Sequence, residues 1–345
     1  DVIMPVRNGA AFIEEAIRSV MAQTDRDWRL IVLNHASTDA TGDIIEQLRA
    51  GDSRIEHLSC DPGLTLSDVR NQGFDRSDAP FVMLHDADDV SEPDRMAASV
   101  EALERQPGLA LIGSDYRIVS GDGAPIARRH LPTDPARIAV ASIFSNPIPQ
   151  PAVTMRMDDI RRLNASYGST FLRPAGGPAP MHVATLVEDY LLFGQLAIER
   201  RCGSIARPLL RYRWHGGNQS SVKFEPQMIL SHDVARHLVA ILAAEHGSTW
   251  LDPIPFSNFG GRIEPFATDV DLGEAWQAMR DMIVRVFGDT PGVRRELAFR
   301  QVLATRSLPQ MLARFAAFRL RHRPDGDEVA TIRSFAAATI RRARR

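Results

Sequence analysis

"FVMLHDADDV" (residues 81–90) sets four apolar residues in a row, then a histidine, then three aspartates within four positions. A short apolar run of this kind reads as a buried strand, so the aspartates leave the sheet at that strand's carboxyl end. Like charges this close repel, and Asp86, Asp88 and Asp89 need a reason to be together. A divalent cation that prefers oxygen ligands would supply one. The other reading is an aspartate-rich turn leading into the helix that Pro93 opens, because aspartate is favoured at helix starts.

Outward from this stretch, strands and helices alternate through residues 1–115. "VIMPV" (2–6) is a strand, and after Asn8-Gly9 the apolar residues Ile13, Ala16, Ile17, Val20 and Met21 recur at helical spacing. "WRLIVL" (28–33) is the next strand, and "STDATGDIIEQLRAG" (37–51) carries helix-start signals and closes on Gly51. "IEHLSC" (55–60) and a helix around 65–76 precede the strand at 81–85. A helix from Pro93 to Arg105 ends at "QPG". "LALIGS" (109–114) and "DYRIVSGDGAPIARR" (115–129) read as further strands, with a Gly-Asp-Gly turn at 121–123. The pattern predicts an α/β fold: an open, mostly parallel sheet flanked by helices, with ligands beyond the carboxyl ends of the strands.

From 145 to 185, "SNPIPQP" and "RPAGGPAP" read as loops. A helix over 187–200 contains "VEDYLLFGQLAIER", and "PLLRYRWHGGNQSS" (208–221) is a strand running into a glycine turn. Beyond 225 the chain reads as mainly helical and ends in the Arg-rich stretches "ARFAAFRLRHR" and "TIRRARR". We therefore divide it into 1–224 (halves 1–115 and 116–224) and a helical C-terminal region, 225–345.

With 345 residues, 44% hydrophobic and 24% charged, the composition is that of a globular protein, and a net charge of −2 gives no footing for nucleic acid. Cys60 and Cys202 make neither a disulfide framework nor a zinc site, which fits a reducing, cytoplasmic setting. No run approaches the ~20 apolar residues of a membrane span, and no signal peptide is visible. The chain opens on Asp1 and enters a strand at once, so we expect it to start inside a longer gene product. Lys223 is the sole lysine among 41 basic residues, which we read as coding bias.

Six segments in order, "MPVRNGAAFIEEAIRSVMAQT", "LIVLNHASTDAT", "DVRNQGF", "MLHDADDVSEP", "VEDYLLFGQLA" and "YRWHGGNQS", resemble the family 2 glycosyltransferases, inverting enzymes of GT-A fold. The resemblance is dense over 2–95, returns at 186–221 and is thin between. It implies an Asp-x-Asp, here Asp86-Ala87-Asp88, that holds Mn²⁺ or Mg²⁺ on the diphosphate of a sugar nucleotide. Asp88 would be the direct ligand, Asp86 a contact to ribose or metal, and Asp89 a supporting group. The family's base is the aspartate of a Glu-Asp pair at a helix start, matched by Glu188-Asp189; locally, the pair also reads as ordinary acidic residues at a helix N-terminus. Pro5, Val6, Asn8 and Arg70 would lie around the nucleoside; Arg70 alone reads equally as part of a solvated helix face. His215 and Arg213 would lie near diphosphate and metal, although a lone histidine is more often structural. Trp214 would be core or acceptor wall.

The sequence departs from the family where two aspartates usually end the second strand: here stand Asn34, His35 and Ala36. Asn34 can offer donor and acceptor to a base edge and His35 can stack, but the choice of uracil is left open. Arg7 replaces a common tyrosine, and Gln150 a frequent histidine. The resemblance implies transfer from a nucleoside-diphosphate sugar, with a UDP-sugar the first expectation, to a hydroxyl of a glycan or lipid-linked acceptor. The Arg-rich C-terminal helices could touch an anionic membrane at its cytoplasmic face or pack on a partner, but the preferred reading is a helical cap on the sheet domain with a solvated Arg face. Two rival classes remain. A haloacid dehalogenase-type phosphatase would use Asp86 as nucleophile and Asp88 as acid/base, but its motif normally sits on the first strand. A glycosyltransferase-like module that binds without turnover is favoured by Asn34-His35. A nucleotidyltransferase lacks support, because "PVRNGA" is not a glycine-rich basic loop.

Overall fold

The structure, a computed structural model, describes residues 1–218, 222–257, 272–304 and 307–343. Its first half follows the expected alternation: β1 (Val2–Val6), α1 (Ile13–Met21), β2 (Leu30–His35), α2 (Thr41–Gly51), β3 (Ile55–Cys60), α3 (Leu66–Arg76) and β4 (Phe81–Leu84). β5 (Val90–Ser91), α4 (Arg95–Arg105), β6 (Leu111–Ser120) and β7 (Pro125–Arg129) follow. Strand alternation decides which side each residue serves. Val2, Met4 and Val6 pack with Ile13, Ile17 and Val20 of α1, while Ile3, Ile31 and Leu33 face Val69 and Phe74 of α3.

The segment expected to be loops contains regular structure. α5 (Pro135–Ser142), β8 (Thr154–Arg156) and α6 (Met157–Arg162) precede α7 (Glu188–Ile198) and β9 (Cys202–Trp214). A strand of three residues is too short to show a period, so β8 left no signal; it exists because it fills the gap between β4 and β6, antiparallel to both. The sheet order is β3-β2-β1-β4-β8-β6-β9-β5, with β7 on β6. β3, β2, β1 and β4 are parallel, and β6 and β9 are parallel to each other. After β4 the chain turns through the aspartates and re-enters the sheet as β5, paired with β9 through Val90 and Arg211. That crossing places the aspartates between the ends of β4 and β9.

The remaining α-helices among the described residues are α8 (Phe224–Glu245), α9 (Leu272–Phe287), α10 (Pro291–Leu303), α11 (Leu308–Arg321) and α12 (Gly326–Ala343). α8, α9 and α10 share one hydrophobic cluster with α5 and α7, through Val234, Leu238, Met279, Ile283 and Leu297. No helix among the described residues is long and apolar enough to cross a membrane. Both cysteines are free and buried. Residues 219–221 of the expected strand-turn and 344–345 of the Arg-rich tail lie outside the described residues.

α7 is buried on all sides, as its near-continuous apolar sequence requires. Leu192, Phe193 and Leu196 face the sheet, and Tyr190, Leu191 and Ile198 face the C-terminal helices. Its one buried amide, Gln195, pins the preceding segment: Oε1 accepts from Phe171 N at 2.8 Å and Leu172 N at 3.0 Å, and Nε2 donates to Ser169 O at 3.1 Å. Gln195→Leu leaves these backbone groups without partners, and unsatisfied buried groups cost about 1–3 kcal/mol each. We expect a loss of roughly 3 kcal/mol in a urea melt; a loss within error of wild type would show that water replaces the amide.

Candidate functional site

The site gathers at the carboxyl ends of β1, β2 and β4, as a doubly wound sheet dictates. β1 ends at Val6, and Asn8 then turns the chain with a left-handed φ of 54°. Its Oδ1 accepts from Thr38 N at 2.8 Å, tying the loop after β1 to the loop after β2. After β4, His85 is fully buried, and its Nδ1 hydrogen bonds the Asp86 carbonyl at 2.7 Å. One carboxylate oxygen from each of Asp86, Asp88 and Asp89 lies within 4.8 Å of the others. Burial pushes the Asp86 carboxyl up to about 7, with Arg70 opposing and Asp88 adding to the rise. Burial, then Asp88 and Asp86, push Asp89 well above the usual carboxylate range. Asp89 points inward, with Oδ1 accepting from Arg213 N at 2.8 Å; Asp86 and Asp88 open to the cavity.

β9 supplies the facing wall. His215 Nδ1 accepts from Gly217 N at 3.1 Å, so the ring proton sits on Nε2 and is donated to Asp88 Oδ2 at 2.9 Å. In this tautomer His215 orients Asp88, and it would have to give up that proton to ligate a cation through Nε2. Asn218 accepts from His215 N at 2.6 Å and donates to Arg213 O at 3.0 Å, which fixes the glycine turn. Arg213 is buried; it donates to Asp88 O at 2.9 Å and to Gly121 O at 2.8 Å, and pairs with Glu15 at 2.5 Å. It braces α1 against the site instead of lining it.

The third wall is the first turn of α7. Leu186 adopts φ 78°, a strained conformation for a branched side chain, and aims the chain into the helix. Glu188 is buried in an ion pair with Arg70 of α3, whose guanidinium also lies 3.8 Å from Asp86. Against the burial of Arg70, Glu188, Tyr167, Asp86 and Asp189 hold it charged. Asp189 Oδ2 accepts from Asn146 Nδ2 at 3.0 Å. Burial and then Glu188 push its carboxyl up to about 7, with Arg70 opposing. A carboxylate with that affinity for protons is suited to taking one near neutral pH.

These walls enclose about 960 Å³. Of the residues expected from the sequence, Pro5, Val6, Asn8, His35 and Arg70 line it, as do Asp86, Ala87, Asp88, Glu188, Asp189 and His215. Asn34 and Arg213 do not. The Asn34 amide is spent inside: Nδ2 meets His57 Nε2 at 3.2 Å and Oδ1 accepts from Ser37 N at 3.2 Å. Tyr116, Arg129 and Tyr212 line the far side with Trp214, which is 44% exposed. The period-2 spacing of Tyr212 and Trp214 on β9 was a readable sign of a shared face. Asn146 sits in an irregular loop and carried no such sign.

The residues fit a hard divalent cation: the Asp86 and Asp88 carboxylates open to the cavity, and burial makes the negative charge of Asp86 costly without one.

A family model described as Glycosyl transferase family 2 matches residues 1–163. The putative teichuronic acid biosynthesis glycosyltransferase TuaG of Bacillus subtilis is 29% identical over 126 residues, 36% of this chain and 49% of the relative. An uncharacterized glycosyltransferase of Haemophilus influenzae is 26% identical over 232 residues, 64% of this chain and 67% of that one. The chain thus spans between half and two thirds of these curated relatives. The crystal structure of S. aureus TarS 1–349 in complex with UDP-GlcNAc is similar with a TM-score of 0.52 at 17% identity, covering 98% of this chain and 91% of that one. That likeness establishes the GT-A fold.

Cation binding requires ionised carboxylates. Because the folded Asp86 and Asp189 hold their protons up to about 7, they lower stability as pH rises from the ordinary carboxylate range through 7. A bound cation offsets this for Asp86. We expect Mn²⁺ to raise the melting temperature more at pH 8 than at pH 5.5, and not to do so in Asp88→Ala. Equal shifts at both pH values would rule out these carboxylates as the ligands.

Proposed function

From the premise that residues 1–163 form a glycosyl transferase family 2 domain, we propose that this glycosyltransferase is a metal-dependent inverting enzyme with Asp189 as its base. One observation carries the reading: Asp189, with its proton affinity near neutrality, opens into the same cavity as Asp86 and Asp88, and Arg70 bridges the two groups. Asp88 and Asp86 would hold Mn²⁺ or Mg²⁺, which when bound neutralises the diphosphate of the donor. The acceptor oxygen attacks the anomeric carbon as the bond to the diphosphate breaks, and its proton passes to Asp189. A single displacement turns an α-linked donor into a β-linkage.

Pro5, Val6, Asn8, His35 and Arg70 are the proposed surroundings of the nucleoside. A UDP-sugar is the first donor to test, since the neighbour of like fold was solved with UDP-GlcNAc. A glycan or lipid-linked acceptor is favoured by the aromatic wall, where Tyr116 and Tyr212 meet edge-on at 5.9 Å beside exposed Trp214. Aromatic faces of this kind suit a sugar ring. We place the reaction at the cytoplasmic face, with the helices beyond residue 225 as an extension of the transferase domain.

Asp189→Asn should lower transfer by about 10²–10⁴-fold, the usual contribution of a general base, while Mn²⁺-dependent UDP binding by calorimetry stays intact. Asp88→Ala should lose that binding. Transfer that survives Asp189→Asn sinks the base assignment; UDP bound without turnover by wild type, across donors and acceptors, favours the binding module instead.

The base must be ionised, so kcat/KM should rise with pH through about 7. Asn146 donates to the ionised form and favours it. Asn146→Ala should therefore move the rising limb to higher pH, by about one unit if the lost hydrogen bond is typical of charged partners. An unmoved limb would mean that another group titrates.

A further inference from the structure

A second cavity, of about 700 Å³, lies among the C-terminal helices and shares no lining residue with the first. Its wall brings together Arg137 of α5, Arg280 of α9, Arg294 and Arg295 of α10, and Arg321 at the end of α11. Arg321 and His322 belong to the Arg-rich stretch for which the transfer site has no use.

The arginines are of two kinds. Arg137 and Arg295 are held from behind by buried carboxylates: Arg137 Nε lies 3.1 Å from Glu296, and both guanidiniums reach Glu328, at 2.9 and 3.0 Å. Their forks are thereby fixed in place. Arg280 and Arg321 are exposed and have no carboxylate partner among the described residues. Neither is paired with a carboxylate of the cavity wall, so both guanidiniums bring positive charge to it. Arg294 pairs with Asp289 at 3.0 Å at the rim. Burial, then Arg295, Arg321 and Arg137, lower the proton affinity of the His322 ring, which adds a hydrogen-bonding group to the wall.

One anion is already built into this field. The Asp134 carboxylate caps α5 by accepting from Ala136 N at 2.8 Å, and it lies against Gly292 in the first turn of α10, where a Cβ would strike it. The floor is apolar, from Trp276, Val284 and Leu297. Planar guanidiniums with two fixed and two free of partners match the oxygens of a phosphate better than a single carboxylate.

We propose that this cavity is a metal-independent binding site for a phosphate or diphosphate group, carried on a soluble molecule or on a lipid headgroup. The site does not rest on the transferase reading, since it contains none of that reading's residues.

The test is calorimetric titration of inorganic pyrophosphate in EDTA, which keeps cations from Asp86 and Asp88. Wild type should bind, the double variant Arg280→Gln/Arg321→Gln should bind at least tenfold more weakly, and Arg280→Lys/Arg321→Lys should fall between. Matching melting temperatures and unchanged Mn²⁺-dependent UDP binding would show that the variants are folded and that the two sites are separate. No binding by wild type, or equal binding by wild type and the glutamine variant, overturns the proposal whatever becomes of the transferase reading. Sedimentation with phosphatidylglycerol vesicles, against phosphatidylcholine, then names the source. Sedimentation reversed by pyrophosphate and lost in the glutamine variant assigns a headgroup. No sedimentation, or sedimentation that neither treatment affects, assigns a soluble phosphate.

Discussion

A guanidinium buried between two acidic groups holds this site together. Arg70 is 7% exposed, paired with Glu188 and 3.8 Å from Asp86. Glu188 is 3% exposed and Asp189 is next to it in sequence. Without Arg70 these carboxyls would face one another in a region of low dielectric, and leaving a buried charge unpaired typically costs about 3–5 kcal/mol. The pair also joins elements 118 residues apart, α3 and α7. Where Arg70 stands is decided locally: Thr65 and Asp68 form a reciprocal capping box, which starts α3 one turn before it.

The same bridge makes the carboxyls on the two sides of the cavity electrostatically dependent. Charge on Asp86 is felt at Asp189 and charge on Asp189 is felt at Arg70. A cation drawn to the aspartates would lower the proton affinity of the carboxyl across the cavity, as any added positive charge does. His215 and Asn218 act on Asp88 from the other side, and Arg213 fixes the backbone beneath it. The aspartate turn is thus constrained by two elements distant in sequence, α3 through Arg70 and the end of β9 with its glycine turn.

Much of this was legible. The parallel half of the sheet announced itself through apolar runs separated by helical spacing of apolar residues, and the cavity lies where such a sheet leaves its strand ends. That Asp86, Asp88 and Asp189 would open on one cavity could be expected only from motifs agreeing in order, because locally each also reads as an ordinary acid at a helix start. The misses have physical reasons. Asn34 has the right residue type at the right strand end, but its amide is taken by His57 and Ser37, and no linear pattern reports a tertiary hydrogen bond. Arg213 reads as a ligand-facing cation and proves to be a strut, because Glu15 of α1 reaches it across the fold. β8 and α6 lie among prolines and glycines, where pairing with β4 and β6 overrides local preference.

The segment between α6 and α7 leaves and re-enters the body at two buried elements, and Gln195 clasps its middle from within α7. Glu188 and Asp189, which line the cavity, sit on the clasp's own helix, outside the excursion it holds. Evolution can therefore rewrite that excursion residue by residue, so long as it still presents two backbone N–H groups and a carbonyl to the amide. Such an arrangement lets the side chains of the excursion change without moving the helix that carries Glu188 and Asp189.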